Sequence, residues 1–412
     1  MTSPGPWPAT KNTLRFPAGA LFAAIVGAAF GVFLLASYSI PGDITIRIAF
    51  TVAVAVTVGL NAVLLTQKNP SVSHSFVAAA FFIGLFIFVS LPATLVSVEP
   101  VRHMEYLIMG VVGLILGVSL GYWFCVIGES KKVVFYIATL IAFLLVNLFF
   151  IFGQTPGSDE FRGVFRDRNY FAVYSMFLLW LSHYVRLARW QGIGVRAILI
   201  AFVILSASLG GLLMIMIYMS WLLWGKMSAL CRRNAPRCIA LIMVGSVSIS
   251  WGAWLSPASE RANPIIAFLV AGELPEKGSF ARRMHQASEG LRLAKENPLL
   301  GLGYGSPQYA AETMGHYGQY SLHNTYLELW AGAGLPALVL IVGGLFIAVV
   351  VVVRGPSSMR GISLVGIASI SLFFMTYSAN HRIGAMAVFA FILMVALAYA
   401  TPARRRAITA RT

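Results

Sequence analysis

The feature that most constrains this chain is a series of apolar runs, each about 20 residues long, that recurs almost from end to end. A hydrocarbon core about 30 Å thick takes a helix of that length, and inside it only structures that satisfy their own backbone survive. Runs fall at approximately 17–37, 44–66, 74–95, 104–127, 133–153, 169–187, 195–225, 237–256, 322–353, 361–378 and 382–400. Of 412 residues 58% are hydrophobic and 11% charged, and mean hydropathy is +0.81, whereas a soluble domain carries roughly 25% charged residues. That excludes an ordinary water-soluble enzyme. The expectation is one all-α polytopic membrane domain over residues 1–412, with 17–37 as an uncleaved first span.

The run 195–225 decides the number of crossings. Its middle reads Ser206-Ala207-Ser208-Leu209-Gly210-Gly211, small and flexible, which suits a break between two short helices around a protein-lined cavity. Two crossings there make about 12 spans; a single tilted helix makes 11.

A net charge of +16 on a soluble protein would point to nucleic acid, but here the basic residues occupy short gaps between apolar runs. Short cytoplasmic loops are enriched in Lys and Arg. With both termini cytoplasmic, 18 of the 30 basic residues lie inside, and nine of the rest fall in two long polar stretches, 154–168 and 257–321. Cys125, Cys231 and Cys238 form no disulfide framework or metal-ligand spacing.

Both long polar stretches therefore face outside, and both carry candidate chemistry. The first includes Arg162, Arg166 and Arg168 and runs through Asn169 into a span. Guanidinium forks match phosphate oxygens, and Gly163 admits close backbone approach. Internal pairing with Asp159, Glu160 and Asp167 is the competing reading. The large loop 257–321 contains a helix over 279–297 with Met284, Ala287, Leu291 and Ala294 at helical spacing, expected to lie on the membrane surface. Pro298 ends it, and Leu299-Leu300-Gly301-Leu302-Gly303-Tyr304-Gly305 follows as a glycine-rich turn. His323 then stands with Asn324 at the outer mouth of a span, where an imidazole can hold a hydroxyl or take a proton. A cap or interface role is the plainer alternative. The remaining histidines show no metal-ligand spacing.

Three elements together, in order and spacing, resemble the O-antigen ligase and polysaccharide polymerase superfamily. They are Arg162-Gly163-x-Phe165-x-x-x-Asn169-x-x-Ala172, Arg283-Met284-His285-Gln286-Ala287 leading to Glu296-Asn297-Pro298-Leu299-Leu300-Gly301-Leu302-Gly303-Tyr304-Gly305, and His323-Asn324-Thr325-Tyr326-Leu327-Glu328-Leu329 before Gly332-Ala333-Gly334-Leu335-Pro336. The resemblance implies a GT-C-like glycosyltransferase of the bacterial inner membrane that works on the periplasmic side. It takes a glycan from undecaprenyl diphosphate and passes it to an acceptor sugar, with no cofactor, metal or sugar nucleotide. It assigns Arg162, Arg283 and His323 catalytic roles, with Arg166, Arg168 and Arg282 as neighbouring cations whose equivalence stays open. Asn169, Asn324 and Tyr304 are candidate substrate-binding residues, and Tyr309, Tyr317, Tyr320 and Tyr326 are further candidates for stacking on sugar rings. Many members carry Ser-Arg-Gly where this chain reads Ser208-Leu209-Gly210.

Chemistry supports those positions. A departing diphosphate gathers negative charge that fixed guanidinium groups stabilise. His323 would accept the acceptor proton as its hydroxyl attacks opposite the leaving group, inverting the anomeric centre. A ligase would use a lipid A-core acceptor and a polymerase a second carrier-linked glycan. The motifs leave both open, with the ligase ahead. A polyprenyl-glycan flippase is the further alternative, although the span interiors offer few ionisable residues for a coupling relay.

Overall fold

The computed structural model describes residues 18–39, 70–97, 99–151, 168–206, 208–233, 279–304, 322–355, 357–377 and 383–400. Every regular element among them is a helix. The chain order is α1 (Ala18–Ser39), α2 (Pro70–Ser90), the single turn α3 (Ala93–Val96), α4 (Pro100–Val126), α5 (Glu129–Ile151), α6 (Arg168–Leu181), α7 (Arg189–Leu205), α8 (Leu209–Arg233), α9 (Ser279–Glu296), α10 (Thr325–Arg354), α11 (Ser357–Thr376) and α12 (Ile383–Ala400). Five stretches among the described residues, Phe76–Val96, Pro100–Val126, Thr325–Arg354, Met359–Thr376 and Ile383–Ala400, are long and apolar enough to cross a membrane. The runs at 44–66 and 237–256 lie outside the described residues.

Small residues set the closest helix pairs. In lipid, apolar side chains gain little by leaving the acyl chains, so helices associate through van der Waals contact that glycine makes possible. Gly113, Gly117 and Gly121 recur every fourth residue on one face of α4. A Cβ at Gly113 or Gly117 would collide with the carbonyl oxygens of Ile383 and Ala387. The three glycines meet α12 in ascending order, so the two helices run parallel, backbone against backbone. Gly27 and Gly31 of α1 bring that helix onto Phe135 and Thr139 of α5 in the same way.

Contacts at opposite ends fix the direction of the remaining helices. Tyr170 and Tyr377 pack ring to ring at 4.7 Å, and Trp180 Nε1 donates to the Ile362 carbonyl at 2.9 Å, so α6 and α11 are antiparallel. Phe171 packs near Phe202 while Arg196 Nε donates to Ser182 Oγ at 3.0 Å, which makes α7 antiparallel to α6. Gly211 lies against Ala172, and Tyr218 shares a 2.8 Å hydrogen bond with His183, so α8 runs with α6. The run 195–225 is therefore divided between α7 and α8, helices of 17 and 25 residues that run in opposite directions. It is not one long helix.

The long helix α10 is interrupted at Gly334, whose φ of 83° and ψ of 173° are not helical. In an unbroken helix Ala331 would accept from the Leu335 N–H, and Gly332 would face Pro336, which has no N–H to give. Here Leu335 N turns away and donates to Pro298 O at 2.8 Å. The two stranded carbonyls of Ala331 and Gly332 accept instead from Leu302 N at 2.7 Å and Gly303 N at 2.8 Å. The glycine-rich turn after α9 thus completes the helix's hydrogen bonding from outside, where buried polar backbone would otherwise lack partners. Positive φ at Gly301 and Gly303 shapes that turn. A Cβ at Gly334 would collide with the Leu299 carbonyl oxygen.

Candidate functional site

Four chain segments meet at one end of the bundle: the start of α6, the α7–α8 break, the start of α10 and the end of α11. At the break, Ser208 Oγ accepts from Gly211 N at 3.1 Å and so caps α8. The same hydroxyl donates to Asn169 Oδ1 at 2.6 Å, fastening the break to the start of α6. Tyr170, next along α6, packs edge-on against Tyr377. Thr325 Oγ1 at the start of α10 donates to the Tyr377 carbonyl at 2.5 Å. The His323 ring packs against the Tyr377 ring at 5.7 Å. Asn169 and His323, distant in sequence, thus belong to one cluster joined through Tyr170 and Tyr377.

His323 is the one non-glycine residue with positive φ, 48°, among the described residues. That region is disfavoured for residues with a side chain. Its neighbours impose it. Asn324 caps α10, its Oδ1 accepting from Tyr326 N at 3.0 Å and Leu327 N at 3.1 Å. On the other side, buried Glu328 reaches back to accept from Leu322 N at 3.3 Å. With both flanking residues tied to the first turn of the same helix, the backbone between them turns left-handed and presents a half-buried imidazole at the helix mouth. Backbone strain over-determined in this way clusters at functional sites.

The helix of the long loop, α9, packs beside this residue. Gly290 lies against the Leu322 side chain, and Leu293 and Ala294 join Leu322 and Ala331 in a small apolar cluster. The buried face therefore runs through Gln286, Gly290, Leu293 and Ala294, whereas Leu291 of the expected stripe is 36% exposed. This face is set by contact with the α10 mouth rather than by the most apolar spacing. Arg283 precedes Gly290 by nearly two full turns, so it shares that face and is half-buried. Arg282 is rotated by about 100° from it. Arg292 is engaged on the surface by Glu289 and Glu296, and its pull holds the Glu289 carboxyl below the usual range.

Of the other candidates, Arg162 and Arg166 lie outside the described residues, and Arg168 is the first residue of α6. Tyr304 is buried, with 3% exposure, stacked on the His103 ring at 5.2 Å; burial pushes its hydroxyl pKa up. Tyr309, Tyr317 and Tyr320 lie outside the described residues, and Tyr326 packs on Phe374 with its hydroxyl toward the Ser371 carbonyl. Four residues of this region escaped the sequence reading: Ser208 as a link to Asn169, Tyr170, Tyr377 and His103. Only the small-residue break hinted at the first, and the others are single residues that no periodicity or spacing marks.

The electrostatics follow from the helix directions. The N-termini of α6, α8 and α10 converge on this cluster, and each brings the positive end of a helix dipole and backbone N–H groups. Such an end suits an anion, while hydroxyl, amide and imidazole groups suit a sugar.

Five apolar stretches of membrane-crossing length among the described residues mark an integral membrane protein, and its polar cluster and three helix N-termini gather at one end of the bundle. Residues 194–342 match the family model described as O-antigen ligase. That stretch holds the broken hairpin, α9, the glycine-rich turn, His323 and the interruption in α10, so the resemblance seen in the motifs stands. No curated protein matches the chain.

Proposed function

We propose that this protein is a GT-C-like glycosyltransferase that moves a glycan from undecaprenyl diphosphate to an acceptor sugar at the periplasmic face of the bacterial inner membrane, with lipid A-core as acceptor. The observation that carries this reading is His323, held in a left-handed conformation where three helix N-termini converge. A diphosphate headgroup lies at the bilayer surface and gains charge as the glycosidic bond breaks. Helix N-termini and the guanidinium groups of Arg162 and Arg283 stabilise that charge. Arg166, Arg168 and Arg282 add to the positive field. The acceptor hydroxyl binds His323, gives up its proton there and attacks the anomeric carbon opposite the diphosphate. The outer helix α9 places Arg283 on the face that packs beside His323, which suits a site closed between the loop and the bundle.

The test uses purified protein, a carrier-linked glycan and either lipid A-core or a second carrier-linked glycan, with released undecaprenyl diphosphate and product length as readouts. One glycan block on lipid A-core supports the ligase. A growing ladder on the carrier makes the protein a polymerase. Carrier binding with no release from any acceptor makes it a flippase and the arginines a recognition site.

A further inference from the structure

His103 lies on the first turn of α4 with no exposure at all, remote in sequence from every family motif. Its Nδ1 accepts from the Tyr304 backbone N–H at 2.7 Å, and its ring stacks nearly parallel on the Tyr304 ring, 16° between planes. An accepting Nδ1 carries no hydrogen, so the proton of the neutral ring sits on Nε2.

Tyr304 is the last of four consecutive residues whose N–H groups are spoken for, the first, Gly301, donating to Asn297 O at 2.9 Å. Leu302 and Gly303 donate to the carbonyls left open at the α10 interruption, and Tyr304 donates to His103. Before them lies α9 with Arg283; after them the chain leads to His323. The turn is therefore the joint between the two groups that the proposed reaction needs, and α10 alone grips only its first part. His103 supplies the grip at its exit, from a helix otherwise outside the site.

We infer that His103 is a positioning residue: by accepting from Tyr304 N–H it keeps the turn in register with α10 and thereby fixes Arg283 relative to His323. The inference rests on the proposed transferase reading for its effect on catalysis, but the anchor itself is read without the reaction. Displacement of a catalytic group by about 1 Å costs on the order of a hundredfold in rate.

The experiment compares the wild-type protein with His103→Asn, His103→Gln and His103→Leu. An Asn side chain places an accepting oxygen close to the position of Nδ1, whereas the longer Gln places its amide nearer Nε2 and Leu accepts nothing. Amide hydrogen exchange of Gly303 and Tyr304 in the purified protein is expected to stay slow in wild type and His103→Asn and to rise at least about tenfold in the other two. Turnover is expected to follow, with kcat about tenfold to a hundredfold lower in His103→Gln and His103→Leu, donor KM within about twofold, and rescue by Asn. Unchanged exchange in His103→Leu overturns the anchor. Raised exchange with unchanged kcat overturns the link to catalysis. A wild type that transfers to no acceptor overturns the transferase reading instead, and the exchange result still decides the anchor.

Discussion

His323 owes its conformation to Asn324 and Glu328, not to its own preference, because the cap on one side and the carboxylate on the other leave the intervening peptide little freedom. Replacing it with Ala should keep the helix mouth intact while removing the proposed proton acceptor. A fall in kcat of about a hundredfold, at near-constant donor KM, is expected in steady-state transfer assays; equal loss of donor affinity would make it a binding residue. The outer arginines separate in the same assay. Arg283, on the packed face of α9, should be needed for transfer, whereas Arg292, occupied by Glu289 and Glu296 on the surface, should be dispensable. Activity retained in Arg283→Ala would remove that group from the proposed stabilisation of the diphosphate.

At the scale of elements, much was legible and the failures have a common physical origin. Apolar runs predicted α4, α5, α10, α11 and α12 to within a few residues, since span length and backbone satisfaction are local demands. The small residues Ser206 to Gly211 marked the break between α7 and α8 because little else in that run could permit a reversal. The packed face of α9 was misjudged because Leu291 and Leu293 are equally apolar, and only Leu322 and Ala331, far along the chain, select the second. The role of the glycine-rich turn after α9 was not legible because its partner carbonyls are exposed by Gly334 and Pro336 in another helix. That dependence yields an expectation of its own: Gly334→Ala must place a Cβ into the Leu299 carbonyl at a positive φ, costing more than about 1 kcal/mol. Thermal unfolding in detergent should report the lower midpoint, and an unchanged midpoint would show that α10 can straighten.

For the whole molecule, the charge pattern predicts which end faces outward, and the helix directions place Asn169, Ser208 and His323 at the same end. In a background without native cysteines, Leu299→Cys should react with a membrane-impermeant maleimide added outside, whereas Trp190→Cys should not; both positions are well exposed. The reverse labelling would invert the topology and place the site on the cytoplasmic side. Because the proposed stabilisation of the diphosphate is supplied by guanidinium groups and helix ends, transfer should persist in excess chelator. Loss restored by magnesium or manganese would move the protein into a metal-dependent class.

The seam between the post-α9 turn and α10 is made by main-chain N–H and C=O groups, and it leaves the side chains of Leu299 and Leu300 pointing outward, at 64% and 43% exposure. Evolution and protein engineering can therefore vary those two side chains at the rim without unmaking the seam, provided that the glycines beside them are kept. On the proposed transferase reading, variation at those two leucines is the kind that alters the outer surface while the main-chain frame stays as it is.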